Sequence, residues 1–350
     1  MADAVALELR GLGLDVREDA TGAETGSDAG NLLARVPGPP GAPTILLGAH
    51  LDTVPLAGPV EVLREESGVL RNRHEAVLGA DNKAAIAVLL AVARRLRHEP
   101  PPVGIELLFT TCEERALAGA KALAPDVLEA DFGFVLDHAS PVGELILSSP
   151  SYYRVEGHLI GQAAHAGIRP EAGRNAIEAA AAAIGRMRLG RIDEQTTANV
   201  GRIEGGSAPN VVAEHCRVEL EARSLDHDQA TALAAEMIDR LTDAASDWEC
   251  DVETVVEEQF RGYRMARSSP PVQVAATALE SMGREPVFVA TGGGSDANVL
   301  QARMPCLNVA NGTERNHQPD ESVTVEALET VLDLALGIVA ASAAEGAASE

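Results

Sequence analysis

Lysine is almost missing from this 350-residue sequence, in which Lys83 and Lys121 are the only two. Arginine and alanine abound, so we read the shortage as a compositional habit and not as a functional signal. Basic charge as a whole is short. Against 53 acidic residues stand 28 lysines and arginines, a formal net charge of -25. Most of such a surface would repel a phosphate polymer, so neither nucleic acid nor an anionic membrane surface is expected as a partner. Cysteine is scarce too. Cys112, Cys216, Cys250 and Cys306 are scattered without CxxC spacing, which argues against a structural zinc knuckle or a disulfide framework and fits reduced thiols. Met1 to Arg10 has acidic residues and no apolar stretch after a basic start, so no signal peptide is expected. No run is expected to reach the roughly 20 apolar residues of a membrane helix. The longest candidate, Lys83 to His98, is broken by Arg94 and Arg95. A cytoplasmic location is the expectation that follows.

What is present is ample apolar content, 46% of residues, and a length that favours two domains over one. Thr44 to Gly48, following the turn-rich PGPPGAP, reads as a buried strand. Val103 to Phe109, Phe132 to Leu136 and Pro305 to Ala310 read the same way. Lys83 to His98, apolar at 86, 89, 90 and 93, reads as a helix. Strands alternating with helices imply an α/β domain with a mostly parallel sheet flanked by helices. From Tyr152 the order changes to a strand, an alanine-rich helix over Glu171 to Arg188, and strands over Thr197 to Ile203 and Val211 to Arg223. A helix from Asp228 to Ala244 and a strand from Cys250 to Glu257 complete it. That β-α-β-β-α-β order is the pattern of a ferredoxin-like α+β sandwich. After Arg261 the chain returns to a helix (Pro271 to Met282), a Gly-rich loop, a strand and a last helix, with the tail AEGAASE expected to fray. The predicted organisation is therefore a larger domain of residues 1–151 and 261–350, with residues 152–260 inserted into it.

Five stretches carry residues able to do chemistry. GAHLDTVP puts His50 and Asp52 at a strand end, where residues i and i+2 share a face. GADNKAA places Asp81 just before a helix, where a lone aspartate usually caps. TTCEERALAG sets Glu113 and Glu114 directly after a strand, where an extended chain would point their side chains apart. Asp137 follows FGFVL, and His317 lies in the polar loop NGTERNHQPDE. Each has a plain structural reading by itself. Taken together, His50, Asp81, Glu114, Asp137 and His317 stand on separate loops, several just after strands, and such ends converge on one crevice of an open α/β sheet. Two imidazoles and three carboxylates suit a pair of borderline divalent ions, zinc above all, at roughly 2.0–2.2 Å per ligand.

These stretches, with VLDHAS, GQAAHAGIRPEAGRNAI, GRIDEQTTANVGRIEGGSAPNVVAE, EARSLD and GGGSDAN in that order, resemble the co-catalytic zinc peptidase family of peptidase T, carboxypeptidase G and the aminoacylases. The likeness is greatest to peptidase T-like proteins and runs from about Thr44 to Glu321. It implies two zinc ions per chain, with cobalt or manganese as alternatives. His50 and Asp137 would serve one ion, Glu114 and His317 the other, and Asp81 both. It implies Glu113 as general base and Asp52 as the support of His50. It implies that His165 reaches the active site of a partner subunit to stabilise an oxyanion. Asn210 and Arg223 would hold the substrate's carboxylate or carbonyl, and the Gly292–Gly294 loop, Gly293 at its centre, would line the cleft. The inserted domain would be a lid and a homodimer interface. The loop after the last histidine departs from the family's usual Thr, since Gln318 follows His317. Residues 54–77 carry no family signal.

The expected activity is that of an exopeptidase cutting short peptides, a tripeptidase in particular. An N-acyl-amino-acid deacylase could use the same ions. A non-catalytic metal- or peptide-binding protein would be expected to lack Glu113 and Asp52, and a metal-free scaffold would leave five convergent ligands unexplained.

Overall fold

The structure, a computed structural model, describes residues 1–347. The chain divides into two compact units, Met1–Ser148 with Arg264–Glu350, and Ser149–Tyr263.

The larger unit is built on a nine-stranded mixed sheet. Its path runs Val16–Glu18, Leu32–Val36, Gly104–Thr110, Thr44–His50, Phe132–His138, Cys306–Ala310, Glu144–Ser149 and Tyr263–Arg264, with Val287–Ala290 beside Glu144–Ser149. The four central strands, from Gly104–Thr110 to Cys306–Ala310, run parallel to one another, whereas Leu32–Val36 and Val16–Glu18 add antiparallel pairs at one side and Glu144–Ser149 pairs antiparallel with Cys306–Ala310 at the other. Gly104–Thr110 is buried at every residue and Thr44–His50 at all but its first. Strands covered on both faces read as continuous apolar runs, which is why these were visible in the sequence. The helices contact one another in two groups. Ala2–Gly11, Ala80–Leu96, Pro270–Ser281 and Val325–Ala347 form one, and the short Thr21–Thr25, Ala118–Ala122 and Asp296–Leu300 form the other.

A second, four-stranded antiparallel sheet joins Val62–Arg64 and Val69–Asn72 to Ser322–Thr324 and Thr313–Glu314. Within residues 54–77, silent in the sequence, Val69–Arg71 thus pair with the strand that follows the His317 loop.

Two expectations need correction. Val325–Ala344 is long and apolar enough, by length and composition, to cross a membrane. Its alanines hid the run, and Val331, Leu334, Ala335, Ile338 and Val339 are buried where the helix packs against Pro270–Ser281 and Ala80–Leu96. The tail does not fray from Ala344, because that helix continues through Ala347; residues 348–350 lie outside the described residues.

The smaller unit is a five-stranded antiparallel sheet in the order Gly190–Arg191, Thr196–Gly205, His215–Ser224, Ser151–Ile160 and Asp251–Phe260. Burial alternates residue by residue along Ser151–Ile160 and His215–Ser224, the mark of a sheet covered on one face. Val155, Leu159, Val218 and Leu220 meet Ala179, Ala183, Leu233, Met237 and Leu241 of the helices Ala176–Gly185 and His227–Asp247. The first helix begins at Ala176 and not at Glu171. Asn175 caps it by accepting the N–H groups of Ile177 and Glu178, and Pro170–Ala172 is a separate 3₁₀ turn.

Candidate metal centre

The parallel strands of the larger unit deliver their C-terminal ends side by side. His50 pairs in register with Thr110, and Ala310 with His138. His50 ends its strand, Asp137 is the next-to-last residue of its own, and Glu113 and Glu114 follow Thr110 after a left-handed Cys112. Asp81 is the second residue of Ala80–Leu96 and keeps a non-helical backbone there. His317 (φ 66°) belongs to the loop between Thr313–Glu314 and Ser322–Thr324.

Asp81 stands at the centre. Its Oδ1 lies 3.0 Å from His50 Nε2 and its Oδ2 3.2 Å from His317 Nε2. Asp137 Oδ1 approaches His50 Nε2 at 3.5 Å, and Glu114 Oε1 approaches His317 Nε2 at 2.9 Å. The potential donor atoms of His50, Asp81 and Asp137 lie within 4.8 Å of one another, as do those of Asp81, Glu114 and His317. Two sets of three therefore share one carboxylate. His50, Glu113 and Glu114 form a further close set.

Electrostatics describe a cluster short of positive charge. Burial pushes the Glu113 carboxyl well above its ordinary value, helped by the Asp137 charge. Burial likewise raises Asp137, to about 6, against the opposing pull of His50. Hydrogen bonds to Asp81 and Glu114 hold His317 protonated up to about 10. Burial would lower His50, but the Asp137 charge and the close carboxylates of Asp52 and Asp81 carry it well above the usual imidazole value. Asp81 is held low despite burial by hydrogen bonds from His317 and His50. Divalent cations would relieve this crowding, and the imidazole and carboxylate donors suit borderline ions.

A surrounding set of hydrogen bonds fixes the cluster. Asp52 accepts the Glu113 N–H at 3.0 Å on Oδ1 and the Glu114 N–H at 3.1 Å on Oδ2, and Oδ1 lies 3.6 Å from His50 Nδ1. Asn82 Nδ2 donates to Asp137 Oδ1 at 3.1 Å, and Asn311 Nδ2 donates to Asn82 Oδ1 at 3.3 Å. Asn308 grips Asp137 twice, accepting its N–H and donating to its carbonyl. Lys83 Nζ donates to the carbonyls of Leu51 and Asp52. Asp296, buried beside Gly292–Gly294, accepts a short hydrogen bond from Thr110 Oγ1, and burial raises its carboxyl to about 7. Sequence reasoning missed Asn82, Lys83, Asp296, Asn308, Asn311 and Glu321. Asn82 and Lys83 stand in GADNKAA, Asp296 in GGGSDAN, and Asn311 and Glu321 at the two ends of NGTERNHQPDE, whereas Asn308 lies in no such stretch.

The fold agrees with that of known proteins. A profile described as Peptidase family M20/M25/M40 matches residues 46–341. The chain belongs to peptidase family M20/M25/M40. Membership makes it a hydrolase, a metal-dependent peptidase. Among solved relatives, the aminopeptidase PepT from Bacillus cereus ATCC 10987 is 36% identical, with a TM-score of 0.88 over 98% of this chain and 92% of that one. A tripeptidase from Staphylococcus aureus subsp. aureus mu50 is 32% identical, with a TM-score of 0.92 over the same shares, 98% and 92%. Protein YqjE of Bacillus subtilis (strain 168) is 36% identical over 94% of this chain and 89% of its own length.

His165, Asn210 and Arg223, also predicted for this M20 peptidase, lie in its smaller unit. His165 pairs with Val211 in an isolated bridge, and the Ala166 N–H donates to the Asn210 carbonyl at 2.9 Å, so the segments of His165 and Asn210 lie side by side. Arg223 holds its guanidinium 4.2 Å above the Tyr152 ring and donates to Glu221 Oε2 at 3.2 Å. Gly293 belongs to the larger unit, its N–H donating to Thr291 Oγ1.

Proposed function

We propose that this metallopeptidase removes residues from short peptides, tripeptides above all, at a pair of zinc ions. The observation that carries the reading is the position of Asp81, one oxygen beside His50 and the other beside His317. His50 and Asp137 would hold one ion, Glu114 and His317 the second, with Asp81 common to both. Ions held there supply the Lewis acidity that activates water and polarises an amide carbonyl. Glu113, half-buried beside His50 and Glu114, takes the proton of the attacking water and returns it to the leaving amine. Asp52 holds the backbone of Glu113 and Glu114 and orients His50. A histidine whose second nitrogen is fixed by a carboxylate presents one tautomer and one ring orientation.

His165, Asn210, Arg223 and the loop at Gly293 are proposed as the groups that contact substrate. His165 would stabilise the oxyanion, acting from the inserted unit of a partner subunit in a homodimer. Arg223, stacked on Tyr152, keeps the bidentate donor geometry that suits a peptide's terminal carboxylate. The names of the Bacillus cereus and Staphylococcus aureus relatives support a small peptide with a free terminus. The four cysteines are free and buried, which supports a reducing, cytoplasmic setting.

The test is hydrolysis of tri-alanine against N-acetyl-alanine, before and after chelation. Chelator-sensitive cleavage of tri-alanine is the expected result. Turnover of N-acetyl-alanine alone would move the protein to the deacylases, and activity indifferent to chelation would remove the metal reading.

A further inference from the structure

The turn that delivers Asp81 leaves the regular helix pattern. Gly79 has φ 75°, and Asp81 and Asn82 keep non-helical dihedrals inside the helix start. A Cβ at Gly79 would meet the Thr53 side chain at 3.2 Å, so this turn is built for glycine. The N–H groups of Gly79 and Asp81 both find one acceptor side chain. Gly79 donates to Glu321 Oε2 at 2.7 Å, and Asp81 donates to Glu321 Oε1 at 2.8 Å.

Glu321 is 1% exposed and 240 residues away from Asp81 in sequence. Burying an ionised carboxylate is costly unless it is paired. Two charge-assisted hydrogen bonds from backbone N–H groups offset that cost. A glutamine would keep one acceptor and turn an NH₂ group against a backbone N–H, so this geometry calls for a carboxylate.

Glu321 also closes the loop that carries His317. At the loop's other end, Asn311 donates to Asn82 Oδ1 while Thr313 Oγ1 donates to Asn311 Oδ1 at 2.6 Å. The loop therefore grips the segment Gly79–Asn82 on both sides of His317. Motion of Asp81 relative to His317 must break one of these contacts.

We infer that Glu321 is the positioning residue for the shared carboxylate, locking the backbone of Asp81 to the His317 loop so that both ions are held together. This rests on the reading of Asp81 as the residue common to two ions. The experiment titrates the metal-free, full-length protein with zinc alone, comparing wild type, Glu321→Gln and Asp81→Asn. Thermal unfolding of each metal-free protein is measured alongside.

Glu321→Gln is expected to bind both ions about 10- to 100-fold more weakly, as the loss of an outer hydrogen-bond partner does. The metal-free protein should keep its unfolding midpoint to within a few degrees, and amide exchange at Gly79 and Asp81 should quicken. If Glu321→Gln binds like wild type while Asp81→Asn loses zinc, the positioning role is wrong and the metal reading stands. Weakening confined to one ion would contradict the coupling. If Asp81→Asn binds two ions like wild type, the metal reading fails and takes this inference with it. Should Glu321→Gln not fold, Glu321→Asp keeps the charge with its oxygens one methylene short, and wild-type affinity in that variant would overturn the role equally.

Discussion

Asp52→Asn removes one acceptor from the loop that carries two glutamates of the site, without changing volume. In the native protein the two oxygens of Asp52 are divided between the N–H of Glu113 and the N–H of Glu114, at 3.0 and 3.1 Å. The neighbouring His50, with the N–H groups of Glu113 and Glu114, holds its carboxyl below the ordinary value even though burial would raise it. Asparagine can satisfy only one of the two N–H groups, and it presents an NH₂ to the other. A hydrogen bond to a charged acceptor contributes about 1.5–3 kcal/mol, and loss of the negative charge beside His50 adds to that. We therefore expect about 2–4 kcal/mol to be withdrawn from the geometry of residues 112–114. Expressed as transition-state stabilisation, this corresponds to roughly a 30- to 1000-fold fall in kcat/KM. A displacement of about 1 Å in a catalytic group accounts for a loss of that size. The assay is tri-alanine hydrolysis with zinc content measured on the same samples, so that metal loss and mispositioning are separated. Asp52→Asn with full zinc and a kcat/KM within about threefold of wild type would refute the reasoning.

Glu113→Gln should retain its metal and lose about 10²- to 10⁴-fold in rate; full activity in that variant would remove Glu113 as the base. Two inactive variants, His165→Ala and Glu113→Gln, should regain part of the activity when their subunits are exchanged, and no recovery after demonstrated exchange would exclude action across subunits. Glu106 offers a contrast in the same sheet. It is fully buried, meets Arg35 at 2.8 Å and accepts the N–H groups of Glu129 and Ala130. Glu106→Ala should reduce stability in urea by about 2–4 kcal/mol, a value kept below that of a fully buried pair because Arg35 is partly exposed. Its kcat should stay unchanged where the protein is folded, and an equal loss of kcat would show that this strand transmits to the site.

The residues that could be read from the sequence sit where pattern and chemistry coincide. His50 and Asp137 close apolar runs, and Glu113 and Glu114 follow one, so the same strand ends that make the sheet visible make these candidate site residues visible. The smaller unit was legible through the β-α-β-β-α-β order of its strand-like and helical segments. The groups that fix the candidate site residues were not. Glu321, Asn311 and Asn308 act on Gly79–Asn82 and Asp137 across 171 to 242 residues, and no local pattern ties such residues together. Asp296 sits in GGGSDAN, a stretch noted for its glycines, but only folding brings its carboxyl to Thr110. Residues 54–77 lacked a pattern because their strands are short, and pairing with Ser322–Thr324 is what orders them. The C-terminal helix was underestimated because alanine contributes little to an apolar pattern yet packs closely against Pro270–Ser281.

The central claim is that Asp81 is shared by two ions, one beside His50 and one beside His317. Crystals of the zinc-loaded protein, measured at the zinc absorption edge, test it most directly. Two anomalous peaks should bracket the Asp81 carboxylate, the first also ligated by His50 and Asp137 and the second by Glu114 and His317. A single peak, or two peaks that do not share Asp81, would contradict it.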